Sequence, residues 1–570
     1  MPSVDDARGH DPAIAPPRGD TTDTIDPERA PCFDAEGTRR APAGEPSSER
    51  RGWPRLIPVL VAAAVTVTVL VRLWQVTRPS NYLDGDEAIT GLMADRIRHG
   101  HFYVFFAGQN YGGAFESYLQ ALVGMLPLPR THVSLIIPQL ALAGITCWLV
   151  FLVGRRLTGS PWWGCAAAFL YAVGPYFNVA KAAESDGFYL SIQLTGALAV
   201  YCALRMGEDA SRLRWHFLVG VCLGLTVWLS LSGLLVTLPV LLWSLATVRS
   251  WRPVLTIAAG AVLGAAPALA WSIDNRQLAM PGAGQPPTTY LEHLYVFFRF
   301  IVEEFVGVLP RVPGAWFQPP ALATAAVVIV LIVTAAVVRW RGLLAIVSLR
   351  TGGRRPVDLL LVCLLITPWL YALSPFAWFR DEPRYIFVLY PVLTWIAVLG
   401  AQTLLRYSRS PRLRPSRHAS AAVAAGVAVG AVGVLWVALS VAEIRRPLAR
   451  WPATDGQLAR AADWMRSHGV SHGYAAYWTA MPMDYLSRGA VTMGALGVEQ
   501  AKVNDIEHSV AIASDIAYVH SARPGDPYNF ARLLRAHHVG YTVATVGPVQ
   551  IYYHLSRQIR PPELGLVDNG

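Results

Sequence analysis

LIPVLVAAAVTVTVLVRLWQVTRPSNYLDGDEA, residues 56 to 88, decides the fold. Its first part, Leu56 to Val76, is apolar and long enough to cross a bilayer, which takes roughly 17 to 25 residues. A few positions past its end, Asn81 to Ala88 (NYLDGDEA) puts Asp84, Asp86 and Glu87 within four residues. Carboxylates so close repel one another and suit a cation, a sugar hydroxyl or a proton. Asp84 or Asp86 would equally serve as the N-cap of the helix suggested by Glu87 to His99. Where the acidic turn sits in the membrane weighs between the two.

Over its 570 residues the chain is 53% hydrophobic and 15% charged, with a mean hydropathy of +0.36. Soluble domains carry about 25% charged residues, so this is a polytopic membrane protein. The net charge of +10 is almost all arginine, with Lys only at 181 and 502, clustered in short connections between apolar runs. That is a topology signal, and no nucleic-acid partner is expected. Five of the six cysteines lie inside apolar runs and Cys32 in the polar tail, so neither a disulfide framework nor a CxxC site is indicated.

Residues 1 to 52 form a Pro-, Gly- and Ser-rich tail expected to be disordered, residues 53 to 442 the membrane domain, and residues 443 to 570 a separate outer domain. Eleven apolar runs are expected to span: Leu56 to Val76, Val133 to Val153, Trp162 to Ala180, Phe188 to Leu204, Trp215 to Leu231, Gly233 to Val248, Val254 to Ile273, Pro320 to Val338, Val357 to Ser374, Tyr385 to Leu404 and His418 to Val441. With the tail cytoplasmic, the inner connections carry about four times the Lys and Arg density of the outer ones. The acidic turn and the C-terminal domain then both lie outside, in a multi-pass protein of the plasma membrane.

The interiors of these runs read as essentially free of Asp, Glu, Lys and Arg, with Asp358 at an entrance. Ion-coupled transporters and pumps usually place such groups near the midplane, so the pattern counts against them. Acids collect at outer ends instead: the Asp84 turn, Glu184 and Asp186 in KAAESDGF, and Asp381 and Glu382 in WFRDEPRY. Between the first two spans, Ala88 to Arg98 and Ala114 to Leu126 read as two helices lying at the interface. A third is expected within YLEHLYVFFRFIVEEFVGVLP, either a flap over the membrane surface or the lead-in to the eighth span.

This order of features resembles the GT-C superfamily of integral-membrane glycosyltransferases, in the branch holding the protein O-mannosyltransferases and the lipid A aminoarabinose transferase. The resemblance covers roughly residues 55 to 405 and rests on Asp86 and Glu87 past the first span, the two juxtamembrane helices, Asp186 in the second outer loop, and RYIFVLYP with Arg384, Tyr385 and Pro391 opening a late span. It implies an all-α GT-C-like membrane protein that moves a hexosyl or pentosyl group from a polyprenyl-phosphate donor to an acceptor hydroxyl of an envelope glycan, lipid or protein. Asp86 would be the general base, with Glu87 or Asp186 orienting the acceptor or holding a divalent ion. Arg384, with Tyr385 beside it and helped by Arg380 or Lys181, would meet the donor phosphate, since guanidinium matches phosphate oxygens in a bidentate fork. Asp84 and Glu184 are further candidates for assisting the acceptor or a metal.

The aminoarabinose transferase carries a Glu-Lys pair near its second juxtamembrane helix, where this chain reads GQNYGGAFES, with Gln109, Asn110 and Glu116 in that region. No cofactor is therefore assigned; a hard ion such as Mg or Mn would suit the oxygen ligands better than Zn. His99 and His101 are expected to be solvated. In the C-terminal region, TDGQLARAADWMRSH and PYNFARLLRAHH read as helices and HGYAAYW, IAYVHS and YTVATV as strands, a small α/β domain. Its Tyr474, Tyr477, Trp478 and Tyr485 read as core residues rather than a sugar platform. A flippase of lipid-linked sugars and a non-catalytic envelope scaffold are the rival readings.

Overall fold

Leu56–Val76 forms α1, and Asp84 caps α2 (Gly85–Arg98) after a short break. The computed structural model describes residues 55–78, 82–248, 250–280, 288–307, 332–333, 335–350, 353–380, 383–408, 453–497, 504–523 and 526–566, with positions 434 and 438. The tail, Asp381, Glu382 and most of the spans expected over Pro320 to Val338 and His418 to Val441 lie outside the described residues.

Next in order come α3 (Phe115–Val123), α4 (His132–Leu135), α5 (Ile137–Thr158), α6 (Pro161–Val173), α7 (Tyr176–Lys181), α8 (Tyr189–Glu208), α9 (Leu213–Leu229), α10 (Leu234–Leu245) and α11 (Trp251–Asn275). They are followed by α12 (Tyr290–Val296), α13 (Val302–Phe305), α14 (Trp340–Val347), α15 (Pro356–Tyr371) and α16 (Tyr390–Ser408). Among the described residues, five stretches are long and apolar enough to cross a membrane: α1, α5, α8, α11 and Pro383–Thr403. Leu213–Leu229, Leu231–Leu245 and Pro356–Tyr371 are shorter apolar helices. The run expected over Trp162 to Ala180 is two helices, because Gly174 and Pro175 break it between α6 and α7. The division near Ser232 is real: α9 stops at Leu229 and a 3₁₀ turn, Leu231–Gly233, leads into α10. The two helices expected between the first two spans are α2 and α3. The third, α12, packs on α15, where His293 Nδ1 lies 2.9 Å from the Ala372 carbonyl.

Two features tighten the bundle. Gly220 and Gly224 of α9 face Gly260 and Gly264 of α11, and a β-carbon at any of the four would collide with the opposing backbone. This is a doubled small-xxx-small contact, the close packing that apolar helices use where no water drives them together. The second overturns the expectation of charge-free interiors. Arg72 of α1 is fully buried, donates to the carbonyls of Thr68 (3.1 Å) and Ala172 (3.3 Å), and lies over the Tyr171 ring. Tyr171 donates to Gln193, whose amide reaches Asn178 (3.2 Å) and the Phe387 carbonyl (2.9 Å). The chain of contacts from Arg72 through Tyr171 and Gln193 ties α1, α6 and α8 to the 3₁₀ turn Pro383–Leu389 that carries Arg384, although among the described residues Arg72 Nε and Nη2 have no hydrogen-bond partner.

The C-terminal region holds α17 (Asp455–Ser467), β1 (His472–Ala476), α18 (Tyr477–Leu486), β2 (Thr492–Leu496), α19 (Asn504–Ile512), β3 (Ala517–His520), α20 (Phe530–Ala536), β4 (Thr542–Val546) and β5 (Val549–Tyr553). Strand order is β2-β1-β3-β5-β4, parallel across the first three, with β5 antiparallel to both β3 and β4. The β4–β5 hairpin turns at Gly547, whose φ of 60° is one a tight hairpin demands. All the expected strands and helices of this region are present, together with α18, α19, β2 and β5. Leu56–Gly570 forms one compact unit, so this layer packs on α2 rather than standing apart.

Candidate functional site

Asp84 has extended backbone and accepts the Glu87 amide at 2.8 Å, while Glu87 reaches back to the Asp84 amide at 3.3 Å. This reciprocal capping box gives the cap to Asp84, not Asp86. Burial first, then Glu87 and Asp86, holds the Asp84 carboxyl well above the usual range. Glu87 is itself buried and accepts from the Ser185 amide (2.9 Å), and its Oε1 lies 3.0 Å from His132 Nε2. Burial opposes charge on the His132 ring, but Glu87 outweighs it, with Asp455 and Asp84 adding, and pushes it up to about 9. Glu87 thus joins α2 to α4 and to the 184–187 loop.

The outer sheet completes the turn. In the order β2-β1-β3, the connections leaving β1 and β3 part to opposite sides, which opens a crevice at the strand ends where such sheets usually bind ligands. Here that edge meets residues 82–86. Tyr477, the residue after β1, donates from its hydroxyl to Asp86 Oδ1 at 2.6 Å, and its ring presses on Gly85, where a β-carbon would collide with it. Arg523, just past β3, is fully buried and donates to the Leu83 carbonyl (2.9 Å) and to Asp455 (2.7 Å), while the Leu83 amide donates back to Asp455 at 3.1 Å.

Beneath the turn lies a cavity of about 430 Å³, within the range of small-molecule sites. Asp86, Gln109, Asp186, Arg384 and Tyr385 all line it, so five of the expected residues converge. Its remaining wall is largely aromatic and apolar, with Phe106, Tyr111, Phe188, Tyr189, Phe376 and Phe379 prominent. Ser230 to Ser232, between α9 and α10, and Leu373 to Phe376, just past α15, also line it. Lys181 pairs with Glu184 (3.0 Å) and with Asp186, and lies over the Tyr189 ring. Burial raises Asp186 to about 6 although Lys181 opposes it. Arg384 lies over Phe379, and Tyr385 stacks on Phe376 at 5.6 Å.

Other expected residues stand back from the cavity. Arg380 is exposed over Phe300, and neither it nor Lys181, Glu184, Asn110 or Asp84 is part of the wall. Glu116 is buried among Ser191 (3.0 Å from the amide, 2.7 Å from the hydroxyl) and Gln139 (3.1 Å), and burial raises it to about 7. Gln139 also donates to the Ser185 hydroxyl at 3.0 Å. Glu87 and Glu116, the latter through Gln139, therefore pin the loop bearing Asp186. His99 and His101 are exposed, as expected. Among the described residues no group of three His, Cys, Asp or Glu side chains is arranged to hold a metal ion. Two of the three acids in the turn are taken up by capping, His132 and Ser185, so no step below is routed through a metal.

Tyr477 is the residue that reading the sequence missed: it is buried as expected, yet its hydroxyl faces Asp86. Tyr474 is buried within the C-terminal layer and Tyr485 where that layer meets Gly91 of α2, both as expected of core residues.

Residues 115–271 match the family model for dolichyl-phosphate-mannose-protein mannosyltransferase. The chain has the GT-C glycosyltransferase fold that the sequence resemblance implied. Among solved structures it is similar to ArnT from Cupriavidus metallidurans in the apo state, at 15% identity and a TM-score of 0.53, covering 89% of this chain and 98% of that one. ArnT bound to undecaprenyl phosphate gives 14% identity and a TM-score of 0.51, covering 90% and 100%. The apo Archaeoglobus fulgidus oligosaccharyltransferase gives 12% identity and a TM-score of 0.48, covering 84% and 70%. Among curated proteins none matches this sequence.

Proposed function

We propose that this protein transfers a sugar from a polyprenyl-phosphate donor to an acceptor hydroxyl at the outer face of the membrane, with Asp86 as general base. The observation that carries this reading is that a carboxylate, Asp86, and a guanidinium, Arg384, open onto one cavity bounded by apolar helix ends and aromatic rings. Such a cavity suits a donor whose tail stays in lipid while its anionic head sits at the surface. A GT-C fold, shared with a protein solved bound to undecaprenyl phosphate, favours that donor class. Asp86 takes the acceptor proton as the oxygen bonds to the anomeric carbon. The bond from that carbon to the phosphate oxygen breaks on the opposite face, and Arg384 meets the charge on the leaving phosphate. One displacement of this kind inverts the anomeric centre. Arginine asymmetry supports a cytoplasmic tail, which puts the cavity and the C-terminal layer outside.

The test is an assay of the purified protein in detergent with a labelled polyprenyl-phosphate sugar and an envelope extract as acceptor. Label moving from the polyprenyl carrier to an acceptor in the extract, with release of polyprenyl phosphate, is the expected result. A protein that only carries lipid-linked sugars across a bilayer gives no product where there is no second compartment.

A further inference from the structure

The outer α/β layer touches the presumed base directly, and this inference rests on the reading of Asp86 just given. We infer that Tyr477 is a positioning residue for Asp86: its hydroxyl holds the carboxylate in the orientation that serves the cavity, which makes the C-terminal layer part of the reaction site. Three observations carry it. The Tyr477 hydroxyl is 2.6 Å from Asp86 Oδ1, a charge-assisted contact. The ring is buried and wedged against Gly85, the residue before Asp86, so the phenol has no room to swing away. The backbone next to it is fixed from the same sheet edge, because Arg523 donates to the carbonyls of both Trp478 (3.4 Å) and Leu83 (2.9 Å). Donor and acceptor of the Tyr477–Asp86 bond are thus held by one rigid clamp rather than by two mobile loops.

A carboxylate with one oxygen bound by a phenol has one rotational setting instead of many, and its ionised form is favoured by the bond. Removing the hydroxyl should therefore slow the proton-transfer step and make Asp86 easier to protonate, while leaving the binding surfaces in place. The charged groups around Asp86 are Asp84 and Glu87 on its own turn, Asp186 from the 184–187 loop, and Arg384 across the cavity. None of them is altered by a change at Tyr477.

The experiment compares Tyr477→Phe, which keeps the ring and its packing, with the parent and with Asp86→Asn in the labelled-sugar assay. Expected for Tyr477→Phe is a fall in kcat of about tenfold or more with donor and acceptor KM little changed, since the loss falls on the transition state rather than on binding. The acid limb of its pH–rate profile should move up by about one unit, the shift that loss of one bond to a charged group brings. In the Asp86→Asn background, Tyr477→Phe should add nothing, because both act through one contact. Parent-like kcat and an unmoved acid limb in Tyr477→Phe, with Asp86→Asn inactive, would overturn this inference alone. Parent-like turnover by Asp86→Asn would overturn the reading of Asp86 itself. Should Tyr477→Phe fold poorly, as judged by its thermal midpoint, Tyr477→His, which restores a donor on a ring, should recover part of the lost kcat; no recovery counts against the inference.

Discussion

Arg523 and Asp455 stand 2.7 Å apart and between them hold both backbone groups of Leu83, the guanidinium taking its carbonyl and the carboxylate its amide. Removing the buried guanidinium leaves Asp455 uncompensated; because that side chain keeps 24% of its surface exposed, the cost is below the roughly 3 to 5 kcal/mol of a fully buried pair. Arg523→Met should therefore lower the thermal midpoint clearly and depress transfer with it, whereas the exposed Arg466→Met should do neither. A full-length Arg523→Met protein with parent stability and activity would show that the turn does not need this clamp.

Asp86→Asn keeps size and shape but removes the proposed base. Loss of a general base costs about 10² to 10⁴ in rate. Because Asp84 and not Asp86 caps α2, stability should not change, and donor binding should stay near the parent value. Asp84→Asn preserves the cap, since Asn caps about as well as Asp, and should retain most turnover. Equal losses in the two variants would remove Asp86 from its special place.

Arg384→Ala tests the donor end. A hydrogen bond to a charged group contributes about 1.5 to 3 kcal/mol, so affinity for polyprenyl phosphate, measured by calorimetry in detergent, should fall by roughly ten- to a hundredfold. Acceptor KM should change less. Unaltered donor affinity would leave Arg384 as a packing residue on Phe379.

His132 makes stability depend on pH. Its folded value of about 9 lies above the ordinary 6.5, so its contribution is full below pH 6.5 and is lost as pH rises towards 9. The loss is on the order of 3 kcal/mol at most, for a ring buried beside Glu87. Thermal midpoints taken from pH 6 to pH 9 should decline accordingly, and the decline should flatten in Glu87→Gln. A flat parent profile would mean that the pair does not titrate in this window.

Cysteine labelling with an impermeant reagent in intact cells checks the orientation. Single cysteines at the exposed positions His101 and Ser467 should both react, while one at Ser211, in an expected inner connection, should stay protected. Protection at His101 or reaction at Ser211 would reverse the assignment.

Much of this was legible because it is local. Apolar runs, arginine-rich connections and acids at outer ends follow from bilayer physics, and they led to the fold, the two helices between the first two spans and the convergence of Asp86, Asp186 and Arg384. Splits within runs were harder to read: the break at Ser232 was legible, but Gly174 and Pro175 hid inside a stretch apolar enough to span. Arg72 escaped because hydropathy averages a lone charge away, whereas its partners, the Ala172 carbonyl and the Tyr171 ring, lie on another helix. The separate duties of Asp84, Asp86 and Glu87 depended on His132, Ser185 and Tyr477, none of them near in sequence. Tyr477 looked like core and is core; nothing in HGYAAYW says that its hydroxyl meets a carboxylate 391 residues earlier.

That separation has a consequence for how the protein comes into being. The acidic turn leaves the ribosome with the first helix, but the residues that brace it, Asp455, Tyr477 and Arg523, are synthesised last. A nascent chain can be threaded through the membrane, helix by helix, without yet having a finished site. On the proposed reading, the site would be completed in a single late event, when the C-terminal layer folds down on α2. Chains that stall or are clipped before that moment would remain as membrane proteins with an unbraced acidic turn.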